Sequence, residues 1–310
     1  MLTLRKFVSS IMMLTVAGLF VVGCNENDPG VTPPGDDVNP ISRLMATSLD
    51  ATTVGLQWTA STTTGATYTI TVLQGATPVD TVDAGVATAS SVSGLTAGTV
   101  YTFSIVASNT DGDESDAVTI MWSPASRYTS DDAVTGKLRI YARSVVGKGS
   151  GIVITANGAS NALTAASQPN LDAIHLVADV NDVTDQIRIG APNAFTDFQA
   201  QMDGKFRTDV EVSTDVFTTS GLDAWYRGSS LEGLFGATGG EKFHTVGNVQ
   251  TGNDGVAFAS RYGAAGAQNY AKVFLVPDAS GNLIQEENGD KYVEIHISSQ
   301  AAPNTPYAKN

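Results

Sequence analysis

The fold is decided by residues 94–109, which read GLTAGTVYTFSIVASN. Tyr101, Phe103 and Ile105 alternate there with small or polar residues, and a period of two places every second side chain on the same face of a β-strand. Two earlier segments, 53–59 and 68–72, show the same alternation. Because turn-forming residues separate these short runs, the pattern predicts an antiparallel β-sandwich over residues 40–124.

Residues 40–124 resemble a fibronectin type III domain. The resemblance is carried by Trp58 on the second strand, by 68–72 on the third, and by Leu95 and Tyr101 in the stretch quoted above. It implies that Trp58 packs between the two sheets. It also implies that Leu95 and Tyr101 form a tyrosine corner, in which the hydroxyl bonds back to the preceding turn. The resemblance predicts no particular ligand, because fold and function are separable.

The first residues of the chain predict a secretory signal peptide over 1–23. Arg5 and Lys6 precede an apolar run that is shorter than the roughly 20 residues a spanning helix needs. Residues 21–24 read VVGC and resemble a bacterial lipobox. The resemblance implies cleavage between Gly23 and Cys24 and a lipid on the Cys24 sulfur, which would give stable anchoring. The alternative is an ordinary signal peptide followed by an unrelated cysteine.

Residues 24–39 contain Pro, Gly and acidic residues without apolar periodicity, so they predict a flexible linker behind the lipidated cysteine. Together the leader and linker predict a cell-envelope protein that is lipid-anchored at the outer membrane. Its domains would face either the cell surface or the periplasm.

Residues 127–310 predict a second antiparallel β-sandwich that resembles no characterised family. Alternating or continuous apolar runs occur at 138–142, 174–178, 187–189, 256–259, 271–276 and 292–297. The turn-rich residues 277–282 predict a hairpin over 271–297. Apolar residues spaced by three and four between Leu222 and Phe235 predict a short helical insertion, broken at Gly228.

Composition excludes several classes of function. Hydrophobic residues make up 42% of the chain, enough for real cores, while 17 basic against 31 acidic residues give a net charge of −14. A surface this negative repels phosphate backbones, so we expect no nucleic-acid partner. The single cysteine, Cys24, excludes a disulfide framework and a cysteine metal cluster.

The sequence contains no recognised catalytic motif: it lacks a nucleophile elbow, a zinc-protease helix motif and a phosphate loop. His296 shares a strand face with Glu294 and Tyr292, which permits an acid–base pair, but a polar outer strand face explains the pattern equally simply. We therefore predict no catalytic residues, no metal, no cofactor and no enzymatic activity. A glycosidase-type pair of carboxylates stays an open alternative, because its geometry is set in space.

Trp225, Tyr226 and Arg227 are the best sequence candidates for ligand contact, since aromatic faces and arginine are common in recognition sites. Packing of Trp225 in the core is the alternative. The leading functional hypothesis is a surface binding or adhesion module for protein or glycan, partnered with the membrane through its lipid. The alternatives are an envelope spacer without its own ligand and a glycan-active enzyme.

Overall fold

The computed structural model describes residues 38–129, 137–155, 158–181, 183–225, 231–236, 240–250, 252, 254–300 and 302–305. The signal peptide, Gly23, Cys24 and most of the linker lie outside these residues. The regular secondary structure of the described chain is almost entirely β, arranged in several antiparallel sheets with one short α-helix and three short 3₁₀ helices among the described residues. The predicted all-β class with two sandwiches is therefore confirmed. No helix among the described residues is long and apolar enough to span a membrane.

The first sandwich consists of seven strands in two sheets. They are β1 (Ser42–Asp50), β2 (Thr53–Thr59), β3 (Thr67–Gln74), β4 (Thr77–Gly85), β5 (Ala89–Val92), β6 (Tyr101–Ser108) and β7 (Val118–Trp122). The sheet orders are β1-β2-β5 and β4-β3-β6-β7. Burial alternates along β2 and β6 as the two-residue period predicts, because one face of each strand meets the core and the other meets solvent.

The second sandwich contains strands β8 to β20. They are β8 (Ser126–Tyr128), β9 (Arg139–Tyr141), β10 (Gly151–Thr155), β11 (Gly158–Ala162), β12 (Ile174–Asn181), β13 (Gln186–Gly190), β14 (Val210–Val212), β15 (Phe217–Thr219), β16 (Phe243–Gly247), β17 (Gly255–Tyr262), β18 (Asn269–Val276), β19 (Ile284–Glu287) and β20 (Asp290–Ser299). One sheet has the order β11-β10-β12-β13-β16. The other has eight strands along β14-β17-β18-β20-β19, with β15 also on β17 and with β8 and β9 also on β20.

The two sheets of the second sandwich enclose a core of branched aliphatic side chains. The five-stranded sheet contributes Ile152, Leu176 and Ile189, and the eight-stranded sheet contributes residues such as Phe258 and Ile295, all fully buried. Such interdigitated apolar packing is the main source of stability in a sandwich.

A third layer covers the outer face of the eight-stranded sheet. Strands β17 and β18 are buried on both faces, since Ala257 and Phe274 point away from the sandwich core into a second apolar cluster. That cluster joins the core of the first sandwich to the segment 222–235. The predicted division of domains at 124 and 127 stays a prediction, because the two sandwiches share this continuous core and residues 37–310 form one compact unit.

The connection between the two sandwiches is buried and hydrogen-bonded. Ser123, Pro124 and Ala125 are all buried. The side-chain amide of Gln300 donates to the carbonyl of Pro124 at 2.9 Å and to that of Ser123 at 3.3 Å. Because buried backbone groups need partners, these bonds fix the path of the connection.

Side chains from both sandwiches also form hydrogen bonds at this connection, residues 123–125, which we call the joint. The indole Nε1 of Trp122 donates to Ser48 Oγ at 3.0 Å, and that hydroxyl donates to the Ser123 carbonyl at 3.0 Å. Arg127 donates to the Ser48 carbonyl at 2.6 Å and pairs with Asp223 from the third layer. We infer that this joint is stiff, since the side chains of Trp122, Ser48 and Arg127 bond at the boundary.

The predicted short helical insertion over 222–235 is found in part, and residues 226–230 of it lie outside the described residues. Leu231–Leu234 forms a 3₁₀ helix, and the α-helix, α1, lies at Thr196–Gln201. Phe195, Phe198 and Met202 stand at helical spacing around α1 and are buried together. In the 222–235 segment, burial against the sheet explains the apolar spacing instead.

The predicted hairpin over 271–297 is present, since β18 pairs with β20, but it contains an additional strand, β19. Asn288 and Gly289 both have positive φ and form the two-residue turn between β19 and β20. That combination is the strongest short-range hairpin signal in a sequence.

Candidate functional site

A cleft of about 440 Å³ opens in the layer that covers the outer face of the five-stranded sheet. We call it the loop cleft. It is lined by Arg143, Val145, Val146, Gly147, Lys148, Ser150, Leu163, Thr164, Ala165, Ala166 and Gln201. Its volume lies in the range of small-ligand sites in proteins.

A second cleft of about 620 Å³ adjoins the first and shares Ala166 with it. We call it the side cleft, and it is lined by residues 166–172 and 204–206. Its lining includes the charged groups of Lys205 and Asp172 and the ring of Phe206. The two clefts together offer more room than a single small molecule needs.

The loop before β10 is fixed by Asn161 on β11. The amide nitrogen of Asn161 donates to the carbonyls of Gly149 at 2.7 Å and Arg139 at 2.8 Å, and its oxygen accepts from the Gly149 N–H at 2.9 Å. Gly149 packs so closely on β11 that a side chain there would overlap with the Ala162 carbonyl. These contacts preorganise one wall of the loop cleft, which limits the entropy lost on binding.

Two cations of the loop cleft are held by neighbours that lie outside its lining. Arg143 Nη1 is 3.3 Å from Asp197 Oδ2, and its guanidinium lies 5.1 Å from the centre of the Phe198 ring. Lys148 Nζ is 2.7 Å from Asp290 Oδ2, and the hydrogen bond to Asp290 raises the pKa of Lys148. Lys148 therefore carries full positive charge at neutral pH.

A small core beneath α1 supports the clefts. Phe198 and Met202 pack with Leu171, which lies just before β12, and with Ile174 and Val177 of β12. The rings of Phe195 and Phe198 meet edge to face, with centres 5.6 Å apart. This packing gives the cleft walls a rigid base.

His175 lies in a buried polar cluster away from the lining of the loop cleft. The Ile154 N–H donates to His175 Nδ1 at 3.0 Å, and Arg207 Nη1 lies 2.6 Å from Nε2. Burial, and then the charge of Arg207, lower the pKa of His175 from 6.5 to about 3. The ring is therefore neutral at physiological pH. A neutral imidazole accepts at one nitrogen, so His175 accepts a hydrogen bond from Ile154 or from Arg207 but not from both.

Tyr292, Glu294 and His296 share the outer face of β20, as the alternation predicts. The intervening Val293 and Ile295 enter the sandwich core. Lys137 Nζ lies 2.7 Å from Glu294 Oε2.

His296 Nε2 lies 3.7 Å from Glu294 Oε1. His296, and then Lys137, hold the pKa of the Glu294 carboxyl below its usual value. The carboxylate is thus engaged by an ion pair with Lys137 and by a contact with His296, both on its own side of the sheet.

Trp225 is 5% exposed and packs in the shared apolar core, with its ring centre 5.4 Å from that of Phe217. This position favours the core-packing alternative for Trp225. Tyr226 and Arg227 lie outside the described residues. The role of these three residues in ligand contact stays a prediction.

The described residues contain no group of three or more His, Cys, Asp or Glu side chains arranged to hold a metal ion. In the acidic loop after β6, the Asn109 oxygen accepts the N–H groups of Asp111 and Asp113 at 3.0 and 2.9 Å. The Asn109 side chain thus accepts hydrogen bonds from the backbone of its own loop.

The three residues of the first sandwich that carry the family resemblance lie in its core. Trp58, Leu95 and Tyr101 are each buried, and Trp58 meets Tyr68 edge to face with ring centres 5.6 Å apart. The Thr96 N–H donates to the Tyr101 hydroxyl at 3.1 Å, which is the bond of a tyrosine corner. The family model of the fibronectin type III domain matches residues 39–121.

Residues 39–121 form a fibronectin type III domain. Such a domain is commonly a non-catalytic binding or spacer module. This assignment covers the first sandwich and leaves the chemistry of the remaining chain undetermined.

Several solved structures are similar to parts of the chain. The fibronectin type III domain of the human collagen alpha-1(XX) chain is 20% identical, over 31% of this chain and 93% of that chain, with a TM-score of 0.27. The FN5 domain of Drosophila Lar is 21% identical, over 28% and 97%, with a TM-score of 0.23. A two-domain fibronectin type III segment of chicken tenascin is 14% identical, over 72% and 91%, with a TM-score of 0.27. No curated protein matches the chain.

The position of the loop cleft could not be predicted from the sequence. Arg143 and Lys148 stand only five positions apart, but their meeting with Thr164 and Gln201 depends on how three separate segments cross the sheet. The only signal in the sequence was the pair of cations around a short loop in an otherwise acidic chain.

Proposed function

We propose that this protein is a non-catalytic, lipid-anchored envelope protein that binds a protein or glycan ligand at the loop cleft. The observation that carries the proposal is the cleft itself. It is concave and preorganised by Asn161, and it combines cations, hydroxyls and aliphatic surface in one lining. Few polar groups placed within a largely formed cavity are typical of binding sites.

The fibronectin type III domain and the second sandwich contribute differently to this function. The buried joint makes the domain a stiff support for the second sandwich, which carries the loop cleft. Lipidation of Cys24 is supported by the lipobox resemblance in the sequence alone.

A blocking variant tests the binding function. Val146 is 96% exposed on the lining of the loop cleft, so Val146→Trp adds bulk there without disturbing a core. The mature lipoprotein in detergent micelles is applied to glycan and peptide arrays, and ligands of the wild type are then measured with the variant. We expect Val146→Trp to abolish binding.

The matched control is Val86→Trp, because Val86 is 76% exposed on the fibronectin type III domain. It should bind like the wild type. A ligand that binds all three proteins equally would contradict the location of the site, and empty arrays would contradict the binding function.

A spacer role is the second candidate, and the buried joint favours it. A spacer needs stiffness and no ligand, and the bonds of Gln300 and Ser48 across the joint supply stiffness. Empty arrays together with a single unfolding transition would favour this candidate.

Labelling with an alkyne-tagged palmitate tests the anchor. The wild type should incorporate the label, Cys24→Ala should not, and Asn25→Ala should incorporate it normally. Label in the Cys24→Ala protein would exclude Cys24 as the acylated residue.

A further inference from the structure

We infer that the ligand of the loop cleft is an acidic polysaccharide, a chain of sugars that carry carboxylate or sulfate groups. This inference rests on the proposed function and names the ligand class of the same site. The argument has three parts: the charge of the lining, its hydrogen-bonding groups and the continuation into the side cleft.

The lining of the loop cleft carries cations in a molecule of net negative charge, and Asp197 and Asp290 pair with these cations from outside the lining. The chain has 31 acidic and 17 basic residues, yet the lining contains the cations Arg143 and Lys148 and no carboxylate. Acidic groups elsewhere on the surface repel an anion, so a negative ligand is favoured at this cleft over its surroundings.

Both cations retain donors for a ligand. A guanidinium has five N–H donors in a planar fork that matches carboxylate and sulfate oxygens, and the contact of Arg143 with Asp197 is made through Nη1. An ammonium has three donors, and Lys148 is 43% exposed beside Asp290. The neighbouring carboxylates orient the two cations, and charge-assisted hydrogen bonds to a ligand are the strong ones.

The other lining groups suit sugar rings. Ser150 and Thr164 are buried hydroxyls at 3% and 8% exposure, and Gln201 offers an amide at the end of α1. Hydroxyls and amides can both donate and accept, as the hydroxyls of a sugar require. Val145 and Val146 provide aliphatic surface for the C–H face of a ring.

The side cleft extends this surface beyond one or two sugar units. It continues from Ala166 along Ser167, Gln168 and Asn170 to a third cation, Lys205, which is 68% exposed and lies 3.6 Å from Asp203 Oδ2. Its single carboxylate, Asp172, lies on the same lining. A polar groove with cations at both ends fits an extended ligand that repeats its negative charge.

The test compares four polymers on the mature lipoprotein in detergent micelles, with binding measured by calorimetry at low and physiological salt. Polygalacturonate carries carboxylates, dextran sulfate carries sulfates, dextran is neutral, and poly-glutamate is an acidic peptide. We expect the first or the second to bind, and their comparison identifies the anionic group. Binding should weaken as salt rises, because the contacts are between charges.

The variant Arg143→Gln/Lys148→Gln removes both cations of the loop cleft. Each lost charge-assisted contact should weaken binding by about tenfold. The control Arg43→Gln/Lys242→Gln removes the same charge from other surfaces, and Lys242 is 44% exposed, like Lys148. Melting curves establish that both double variants are folded.

Unchanged affinity in Arg143→Gln/Lys148→Gln, or equal loss in the control, would overturn the inference. Equal binding of dextran would also overturn it while the binding function stands, and tighter binding of poly-glutamate would assign the site to acidic peptides. If none of the polymers binds and the arrays are empty as well, both proposals fail.

Discussion

The two sandwiches of this protein differ in where they keep their charge. Within residues 39–121 the fibronectin type III domain has one basic residue, Arg43, and no histidine. All three histidines lie in the second sandwich. Among the described residues, every ion pair joins residues at or beyond position 127. The first sandwich is thus held by apolar packing and hydrogen bonds, some of them to carboxylates such as Asp50 and Asp83, while the second adds ion pairs.

This difference assigns separate tasks to the two regions. A core built on Trp58 and Phe103 supplies a stable shape with little capacity to recognise charge. The second sandwich carries cations whose positions are set by carboxylates and by aromatic rings, as for Arg139 over Tyr292 at 4.0 Å. Recognition and sensitivity to pH should therefore reside in the second sandwich.

The largest effect is expected from Trp58→Ala. Trp58 is 4% exposed, and truncating a large buried aromatic residue costs about 3–5 kcal/mol through lost burial and the cavity left behind. Chemical unfolding of the full chain, followed by far-ultraviolet circular dichroism, measures this loss. The control Val86→Ala should leave the free energy of unfolding nearly unchanged.

A loss well below 1 kcal/mol for Trp58→Ala would show that the core of the fibronectin type III domain does not depend on this residue. The contrast between an apolar first sandwich and a charged second one would then need another basis.

The next effect concerns the joint between the two regions. Ser48→Ala removes the acceptor of the Trp122 indole and the donor to the Ser123 carbonyl, leaving two buried groups without this partner. The Ser123 carbonyl keeps the Gln300 amide as a donor, so we expect a loss of about 2 kcal/mol, given about 1–3 kcal/mol for one buried group left unsatisfied. Calorimetry should show one transition for the wild type and two for the variant.

The exposed Ser91 provides the control, and Ser91→Ala should keep a single transition. Two transitions in the wild type would mean that the sandwiches unfold independently despite their shared core.

The strands of the first sandwich could be predicted from the sequence more completely than those of the second, for a physical reason. The strands of the fibronectin type III domain have one buried face, so their alternation can be read along the chain. Strands β17 and β18 are buried on both faces and lose that signal. Lys272 lies in β18 and is completely buried, because the first sandwich and the third layer cover a strand face that would otherwise meet solvent.

The loop cleft and the joint could not be predicted from the sequence for a related reason. Arg127 and Asp223 are 96 positions apart, and Ser48 and Ser123 are 75 apart. Periodicity reports the face on which a residue lies but not which distant segment covers that face. The short helix α1 could have been found, since Phe195, Phe198 and Met202 show helical spacing.

Acidification should weaken the second sandwich between pH 6.5 and 5. The unfolded chain binds a proton at His175 below pH 6.5, whereas the native ring does so only near its lowered pKa of about 3. Unfolding is therefore favoured as pH falls through this window, by about 1.4 kcal/mol per pH unit or about 2 kcal/mol at pH 5.

Urea unfolding of the wild type and of His175→Gln at pH 7 and pH 5 measures this effect. The readout is the difference between the two pH values, so a general destabilisation of the variant does not obscure it. The smaller residual loss should come from His244, whose pKa is also lowered by burial. Carboxyl groups such as Asp209, with pKa lowered by Arg207, respond only at more acidic pH. An equal pH dependence in both proteins would exclude His175 as the acid-sensitive group.

The smallest effect is expected from Tyr101→Phe, which removes one neutral hydrogen bond of the fibronectin type III domain. Tyr101→Phe keeps the buried ring and removes the hydroxyl that accepts the Thr96 N–H at 3.1 Å. We expect a loss of about 1 kcal/mol, the usual net value of one such bond, with no dependence on pH between 7 and 5. The same urea measurements provide the comparison with His175→Gln. If the Tyr101→Phe loss changed with pH as the His175 contribution does, titrating groups would govern both sandwiches, and the separation of a support without ion pairs from a recognition region with them would not hold.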